Sequence, residues 1–421
     1  MTFEKETERA ILCGVHTGSL DVLSDTTDET MAELRELART AGAEVVGIMV
    51  QNRDKPEGAT YFGEGKIEEL KAAVEAEGAT LIIFDDELTG SQIRNIEDAA
   101  GARVIDRSTL ILDIFAQRAR SKEGKLQVEL AQLRYNLPRL IGMGQQLSRL
   151  GGGIGTRGPG ETKLESDRRH IHRRIESLEN ELKEVEKHRG LLRSRRSKDG
   201  VATAALVGYT NAGKSSLMNR ITNSDIFAEN MLFATLDPTV RALELSDGRN
   251  ACMIDTVGFI RKLPHHLIKA FRSTLEEACE ADVLLHVIDA ADPELQNHIR
   301  VVDELLSELG CKAQRTIAVF NKSDIAPPLS PRPKGEYTDY AFVSAATGEG
   351  IESLMTILED ALPGKKRKVT VLIPYAQSGT AAKLHDGEVI LAESYENEGT
   401  RITLMADPAL YARIKEFEVT E

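Results

Sequence analysis

The sequence predicts an α/β protein in four parts. These are an N-terminal α/β domain, a long antiparallel two-helix hairpin with a glycine-rich tip, a P-loop domain whose mixed sheet is flanked by helices, and a small C-terminal α+β domain. Three observations predict it. Short apolar runs alternate with helical patterns over residues 1–115. Two leucine-rich heptad seams flank a glycine-rich stretch between 116 and 199. A phosphate-loop pattern stands between an apolar strand and a helix start near residue 208. With 421 residues the chain has room for about two to four domains.

In the first part, Ile11–Val15, Glu44–Val50, Leu81–Phe84 and Ala102–Ile105 read as strands. Met31–Thr40, Ile67–Glu77 and Ser91–Ala100 read as amphipathic helices between them. Strand–helix alternation implies a parallel sheet with covering helices. Gly63-Glu64-Gly65 is too short for a dinucleotide fingerprint and reads as a helix entry.

Residues 116–199 change character. Leu126, Leu130, Leu133, Leu137 and Leu140 form one apolar seam, and Leu164, Ile171, Ile175, Leu178, Leu182 and Val185 form another. Pro138 is expected to kink or shorten the first helix. The loop 149–162 lies between the seams and is too rich in glycine and proline to stay helical. Two antiparallel helices packed seam to seam would hold Arg149, Arg157 and Lys163 at or beside the tip. Bare amides and guanidinium groups there suit phosphates or RNA bases.

The third part, 200–364, carries the chemistry. Gly208, Tyr209, Thr210, Asn211, Ala212, Gly213, Lys214 and Ser215 follow the strand Ala204–Val207, and Ser216 continues into a helix. Such a loop aims backbone N–H groups and a positive helix end at phosphates. Lys214 is expected to bridge the β- and γ-phosphates and Ser215 to bind Mg²⁺. Asp255, Thr256, Val257 and Gly258 follow a second apolar strand. There Asp255 suits a water-mediated Mg²⁺ contact, and Gly258 lets its N–H approach the γ-phosphate. Asn321, Lys322, Ser323 and Asp324 follow a third strand, and the Asp324 carboxylate can accept from N1–H and the exocyclic amine of guanine. Ser344, Ala345 and Ala346 fit the loop that supports the base.

Between the first two motifs, Phe233, Ala234, Thr235, Leu236 and Asp237 read as a switch loop, in which Thr235 and Thr239 both compete to complete the Mg²⁺ shell. The order of motifs predicts GTP hydrolysis. Phe259 stands where many GTPases place a water-orienting glutamine, so intrinsic turnover is expected to be slow. After a linker at Gly364–Lys368, residues 369–421 read strand, helix, hairpin, helix, with Gly387–Leu391 pairing Arg401–Leu404.

Composition bounds the rest. The hydrophobic fraction of 41% and charged fraction of 29% are ordinary for a globular chain. No stretch approaches the roughly 20 apolar residues of a membrane span, and no leader pattern opens the chain. Cys13, Cys252, Cys279 and Cys311 lack metal-ligand spacing and are expected to be free thiols in a reducing cytoplasm. Net charge is −14, yet 118–199 holds 20 Lys/Arg against 11 Asp/Glu, a local +9 that leaves −23 elsewhere. A basic segment in an acidic protein is a candidate anion-binding surface.

Taken together, Gly151 to Lys163, the P-loop, Phe233 to Thr239 and Asp255 to Phe259 resemble the HflX family of translational GTPases. The resemblance covers nearly the whole chain, including Tyr61 to Lys66. It implies a cytoplasmic GTPase, expected to be a monomer, that binds the large ribosomal subunit and its rRNA. It further implies splitting or rescue of stalled or hibernating ribosomes, with hydrolysis driving release. The rRNA contacts would be Arg149, Gly151, Gly152, Gly153, Arg157 and Lys163. Thr235 would join Ser215 on Mg²⁺, and Lys214, Thr235, Gly258 and Asn211 would serve catalysis. Asn211 resembles an asparagine that coordinates an activating K⁺ in related GTPases; the bland reading is that it only shapes the loop. Two other roles stay open: a large-subunit assembly GTPase, or an rRNA-binding hibernation factor whose hydrolysis is incidental.

Overall fold

The computed structural model describes residues 7–16, 27–149, 159–198, 200–222, 232–233, 236–237, 239–264, 267, 272–311, 315–326, 335, 337–364, 367–385 and 390–419. Among the described residues it is a mixed α/β structure with three sheets. The first is built from β1 (Arg9–His16), β2 (Glu44–Asn52), β3 (Leu81–Phe84) and β4 (Arg103–Asp106), all parallel, in the order β2-β1-β3-β4. Helices α1 (Thr27–Thr40) and α4 (Arg107–Arg118) bury Leu34, Leu37 and Ile114 on one face. Helices α2 (Glu64–Glu77) and α3 (Gly90–Ala100) bury Leu70 and Ile96 on the other. A reciprocal cap between Thr89 and Gln92 starts α3. Helix α4 was not expected from the sequence; its apolar residues occur on most of its circumference because it is buried on several sides.

Two long helices follow, α5 (Lys122–Arg149) and α6 (Pro159–Lys198). They pack through the expected seam, with Leu126, Leu130, Ile175, Leu178 and Leu182 buried and Leu133, Leu137 and Ile171 beside them. Of the cross-helix pairs Glu123–Arg189, Glu129–Arg174 and Arg134–Glu179, the first and last run in opposite senses along the two helices, which makes the helices antiparallel. The latter two pairs are largely exposed and contribute about 0–1 kcal/mol each, so the leucine seam holds the pair and the charges fix its register. Pro138 does not shorten α5, which runs on to Arg149. Packing on α6 and the anchoring of Arg139 to Asp106 offset the one backbone bond that proline forgoes. Asp106 ties this corner together: it caps α4 through Thr109 N at 3.0 Å and accepts from Leu88 N and from Tyr135 Oη at 2.6 Å. The expected loop 149–162 is shorter than predicted: Arg149 still belongs to α5 and α6 begins at Pro159, whose fixed φ suits the first turn of a helix. Gly151, Gly152, Gly153 and Arg157 lie outside the described residues, and Arg149 and Lys163 are placed at helix ends by backbone alone.

The second sheet has the order β10-β9-β8-β5-β7-β6. Its strands are β5 (Ala202–Val207), β6 (Thr239–Glu244), β7 (Asn250–Asp255), β8 (Val283–Asp289), β9 (Arg315–Asn321) and β10 (Asp339–Phe342). All pairings are parallel except β6 with β7. Its described helices are α7 (Lys214–Ile221), α8 (Arg272–Cys279), α9 (Leu295–Leu309) and α10 (Ile351–Ala361). One apolar core runs on from α1 and α4 to Val207, Phe233, Ile254 and Phe259, so the first sheet and this one are packed together.

The cysteine expectation is corrected here: Cys279 and Cys311 form a disulfide, with Cα atoms 4.4 Å apart, leaving Cys13 and Cys252 free. Adjacent ends of α8 and α9 bring them together, which spacing in the sequence does not reveal. The third sheet joins β11 (Arg367–Pro374), β12 (Ile390–Tyr395) and β13 (Gly399–Ala406) in the antiparallel order β11-β13-β12, backed by α11 (Ser378–His385) and α12 (Pro408–Ile414). The hairpin strand before it begins at Ile390; Gly387, Glu388 and Val389 lie outside the described residues. Among the described residues no helix is long and apolar enough to cross a membrane.

Candidate nucleotide site

The site lies at the C-terminal ends of β5, β7, β9 and β10. The loop from Gly208 to Gly213 connects β5 to α7. Gly208 has φ +151, and a Cβ there would collide with the Val287 carbonyl. Gly213 has φ +91 and abuts the Asn321 amide. Both positions therefore need glycine. Asn211 holds φ +63, a left-handed conformation that asparagine tolerates better than most residues. The loop delivers the first amides of α7 to one point, where the helix end carries partial positive charge.

Lys214 is buried, and its Nζ donates to the carbonyls of Gly208 at 3.0 Å and Tyr209 at 2.8 Å. Burial lowers its pKa to about 8, opposed by the Asp255 carboxylate. Ser215 Oγ donates to Asp255 Oδ2 at 2.8 Å, so a hydroxyl and a carboxylate sit together where the P-loop meets β7. Thr256 is fully buried and donates to the Leu206 carbonyl at 2.7 Å. The P-loop and the segment after Asp255 are joined by two backbone bonds, Thr210 N to Phe259 O at 2.7 Å and Phe259 N to Gly208 O at 3.1 Å. A Cβ on Gly258 would lie 2.8 Å from Thr210 Cγ2 and 3.1 Å from Lys214 Nζ, so only glycine admits this approach. The Phe259 ring is buried in the core and offers nothing to a water molecule.

Asn321 links three motifs. Its Nδ2 donates to Ala212 O at 2.9 Å, and its Oδ1 accepts from Ala345 N at 3.0 Å. Lys322, at φ +62, donates to Asp289 Oδ2 at 2.6 Å. Ser323 N donates to Val343 O at 3.1 Å, and buried Ser344 accepts from Thr347 N at 3.1 Å. Asp324, Ala346, Asn211 and Ser216 are exposed, with Asp324 carried on the same turn as Asn321.

The switch-loop expectations fare differently. Ala234 and Thr235 lie outside the described residues. Phe233 and Leu236 are buried, and Phe233 meets Phe115 edge-to-face at 4.8 Å. Asp237 turns toward the helical hairpin, accepting from Arg120 N at 2.9 Å and Ser121 N at 2.7 Å. Among the described residues no cluster of His, Cys, Asp and Glu could by itself hold a metal.

Sequence reasoning missed a second ring of residues around the P-loop. The Tyr209 hydroxyl donates to Glu33 of α1 and accepts from Arg261 N at 2.9 Å, while its ring stacks on His298 at 3.7 Å. Burial and the Glu33 carboxylate raise its pKa far above the usual phenol range. Arg107 is fully buried between Glu33, Asp85 and the Arg261 carbonyl. No local pattern marks these groups, because their partners lie more than 20 residues away in sequence.

Family models cover most of this architecture. One described as "GTP-binding GTPase N-terminal" matches residues 28–116, one described as "GTP-binding GTPase Middle Region" matches 118–196, and one described as "50S ribosome-binding GTPase" matches 203–322. GTPase HflX of Caldanaerobacter subterraneus is 49% identical over 416 residues, covering 99% of this chain and 95% of its own. The same-named protein of Lacrimispora saccharolytica is 47% identical, covering 97% and 95%, and that of Escherichia coli is 44% identical, covering 89% of each. A GTP-binding protein of Sulfolobus solfataricus solved with GDP is 26% identical over 84% of this chain and 98% of its own, with a TM-score of 0.45. A phosphate loop stitched to an Asp-x-x-Gly turn, identity near one half, and alignment from end to end leave one assignment: the chain belongs to the HflX family and is a GTPase.

Proposed function

We propose that this GTPase binds the large ribosomal subunit in its GTP state and splits or rescues stalled or hibernating ribosomes, hydrolysis then driving release. The observation that carries the reading is the pairing of a nucleotide switch with a rigid helical hairpin of 28 and 40 residues. At about 1.5 Å per residue such helices reach some 40–60 Å. The description of the matching family as a 50S ribosome-binding GTPase supports the partner. Arg149, Gly151, Gly152, Gly153, Arg157 and Lys163 would meet rRNA at the tip.

In the site, the P-loop amides and Lys214 take the phosphates, and Asp324 takes guanine. Oxygen donors fit Mg²⁺. Ser215 Oγ beside Asp255 Oδ2 is such a pair; Ser215 and Thr235 would hold the ion directly and Asp255 would act on it through water. Mg²⁺ there would neutralise charge on the β- and γ-phosphates. Gly258 N–H senses the γ-phosphate, and binding at Gly258 and Thr235 orders both loops until hydrolysis releases them. Because Phe259 is buried, turnover depends on other groups; Asn211, exposed on the P-loop, is the candidate for holding K⁺. Equal turnover in K⁺ and Na⁺ buffers rules that role out.

Sedimentation of purified ribosomes with the protein and GTP, a non-hydrolysable analogue or GDP tests the reading. Free subunits with protein on the large one in the analogue are expected. Intact ribosomes with protein left at the top of the gradient overturn it, and precursor particles become the target to examine.

A further inference from the structure

The N-terminal sheet order β2-β1-β3-β4 sends successive connections in opposite directions from β1. In open α/β sheets this opens a crevice beyond the C-terminal strand ends, and ligands bind there. Asp85 and Asp86 directly follow β3, and Arg107 follows β4. The group that enters is a side chain of the GTPase domain. Lys262 Nζ lies 2.6 Å from Asp85 Oδ2 and 2.9 Å from Asp86 Oδ1. Its backbone has φ +51, which a lysine adopts only against steric resistance.

Its neighbour is held as firmly. Arg261 O accepts from Arg107 Nη2 at 3.2 Å, Arg261 N donates to the Tyr209 hydroxyl at 2.9 Å, and its guanidinium reaches Glu29 at 2.9 Å and Glu294 at 3.4 Å. Two consecutive residues, just past the γ-phosphate-sensing turn, are thus gripped by α1 and the ends of β3 and β4.

We propose that Lys262 is a positioning residue for the GTPase reaction. Seated between Asp85 and Asp86 in the ligand crevice of the N-terminal sheet, it holds the Gly258–Arg261 segment against the P-loop. Triphosphate binding and docking of the N-terminal sheet on this segment are then one event. Gly258 stands four residues before Lys262 and packs beside Lys214 Nζ, where a γ-phosphate must lie. GDP has no group at that place and is indifferent to the anchor. Linkage makes the effect reciprocal: whatever the anchor adds to triphosphate affinity, the triphosphate adds to the anchor.

Full-length Lys262→Ala, Lys262→Arg and Asp86→Asn proteins test this by titration with GDP and with a non-hydrolysable GTP analogue, alongside steady-state GTPase kinetics. Lys262→Ala and Asp86→Asn are expected to weaken the analogue about 5- to 10-fold, the lower part of the range of measured couplings. GDP binding stays within about twofold, and KM for GTP rises with the analogue Kd. Lys262→Arg recovers most of the loss, because the positive charge between the two carboxylates is kept. A merely structural ion pair weakens both nucleotides equally or neither. Either result, or an arginine variant no better than alanine, overturns the proposal.

Discussion

Asn321→Ala separates guanine-loop support from phosphate sensing, and its size follows from two bonds. The Asn321 side chain is 2% exposed, donates to Ala212 O at 2.9 Å and accepts from Ala345 N at 3.0 Å. It is thus the strut between the P-loop and the loop expected to support the base. Alanine leaves a carbonyl and an amide without partners. Buried and unsatisfied, each costs about 1–3 kcal/mol. Ala345 is only half-buried, so water can reach the amide, and the lower end applies to it. A total of about 2–3 kcal/mol converts at 1.4 kcal/mol per decade to a loss of about 30- to 150-fold in nucleotide affinity. The loss falls equally on GDP and on a GTP analogue, because neither bond concerns the γ-phosphate. Stopped-flow or equilibrium titration with a fluorescent guanine nucleotide measures it. A change under threefold, or one confined to the triphosphate, refutes the strut.

Three further outcomes are expected. Leu178→Ala, at a fully buried position of the α5–α6 seam, should destabilise the hairpin by about 2–5 kcal/mol, read as faster hydrogen exchange within 122–198, with GDP affinity unchanged. Reductant should lower stability by about 3–4 kcal/mol if loop-closure entropy dominates, since Cys279–Cys311 closes a separation of 32 residues; alkylation of both cysteines without reductant would show that the bond is not there. His286 is pushed down to about 3 by burial and by the Lys214 charge, so the folded form keeps it neutral while the unfolded form protonates near 6.5. Its contribution is therefore complete above about 6.5 and is lost as pH falls toward 3, and His286→Gln, which can still bond Tyr337, should flatten the fall of Tm across that window.

The parts legible in the sequence are those whose chemistry is local. Lys214 follows a glycine turn because backbone amides must converge there, and that requirement is written in eight consecutive residues. The seam residues Leu126, Leu130, Ile175, Leu178 and Leu182 were legible because a helix repeats its buried face at fixed spacing. Illegible parts depend on which surfaces meet. Arg261 and Lys262 look like solvated charges after a glycine turn, yet their partners Glu29, Asp85 and Asp86 are roughly 175–230 residues away. Asp237 looked like a nucleotide-loop residue by its neighbours in sequence, whereas its carboxylate faces the amides of Arg120 and Ser121. Cys279 and Cys311 carry no spacing signal, because helix ends, not intervals, place them.

The charges at this junction also argue about its purpose. Arg107, Arg261 and Asp85 are each 3% exposed or less, and taking such groups out of water costs several kcal/mol apiece before any pairing is counted. Apolar residues of similar volume would hold two domains together at least as well. The same junction already has an apolar part, in Phe115 on Phe233 and the core around Phe259. Adhesion is thus available without the ions. What ions add is steep dependence on geometry: a shift of Gly258 of an ångström or so would lengthen the Lys262 and Arg261 contacts together, while a greasy contact would slide at little cost. A carboxylate such as Asp85, shared by Arg107 and Lys262, cannot lose one cation and remain buried cheaply. On the proposed function, ion pairs this dependent on geometry would favour two discrete arrangements of the junction over a continuum, which is the property a nucleotide-driven lever requires.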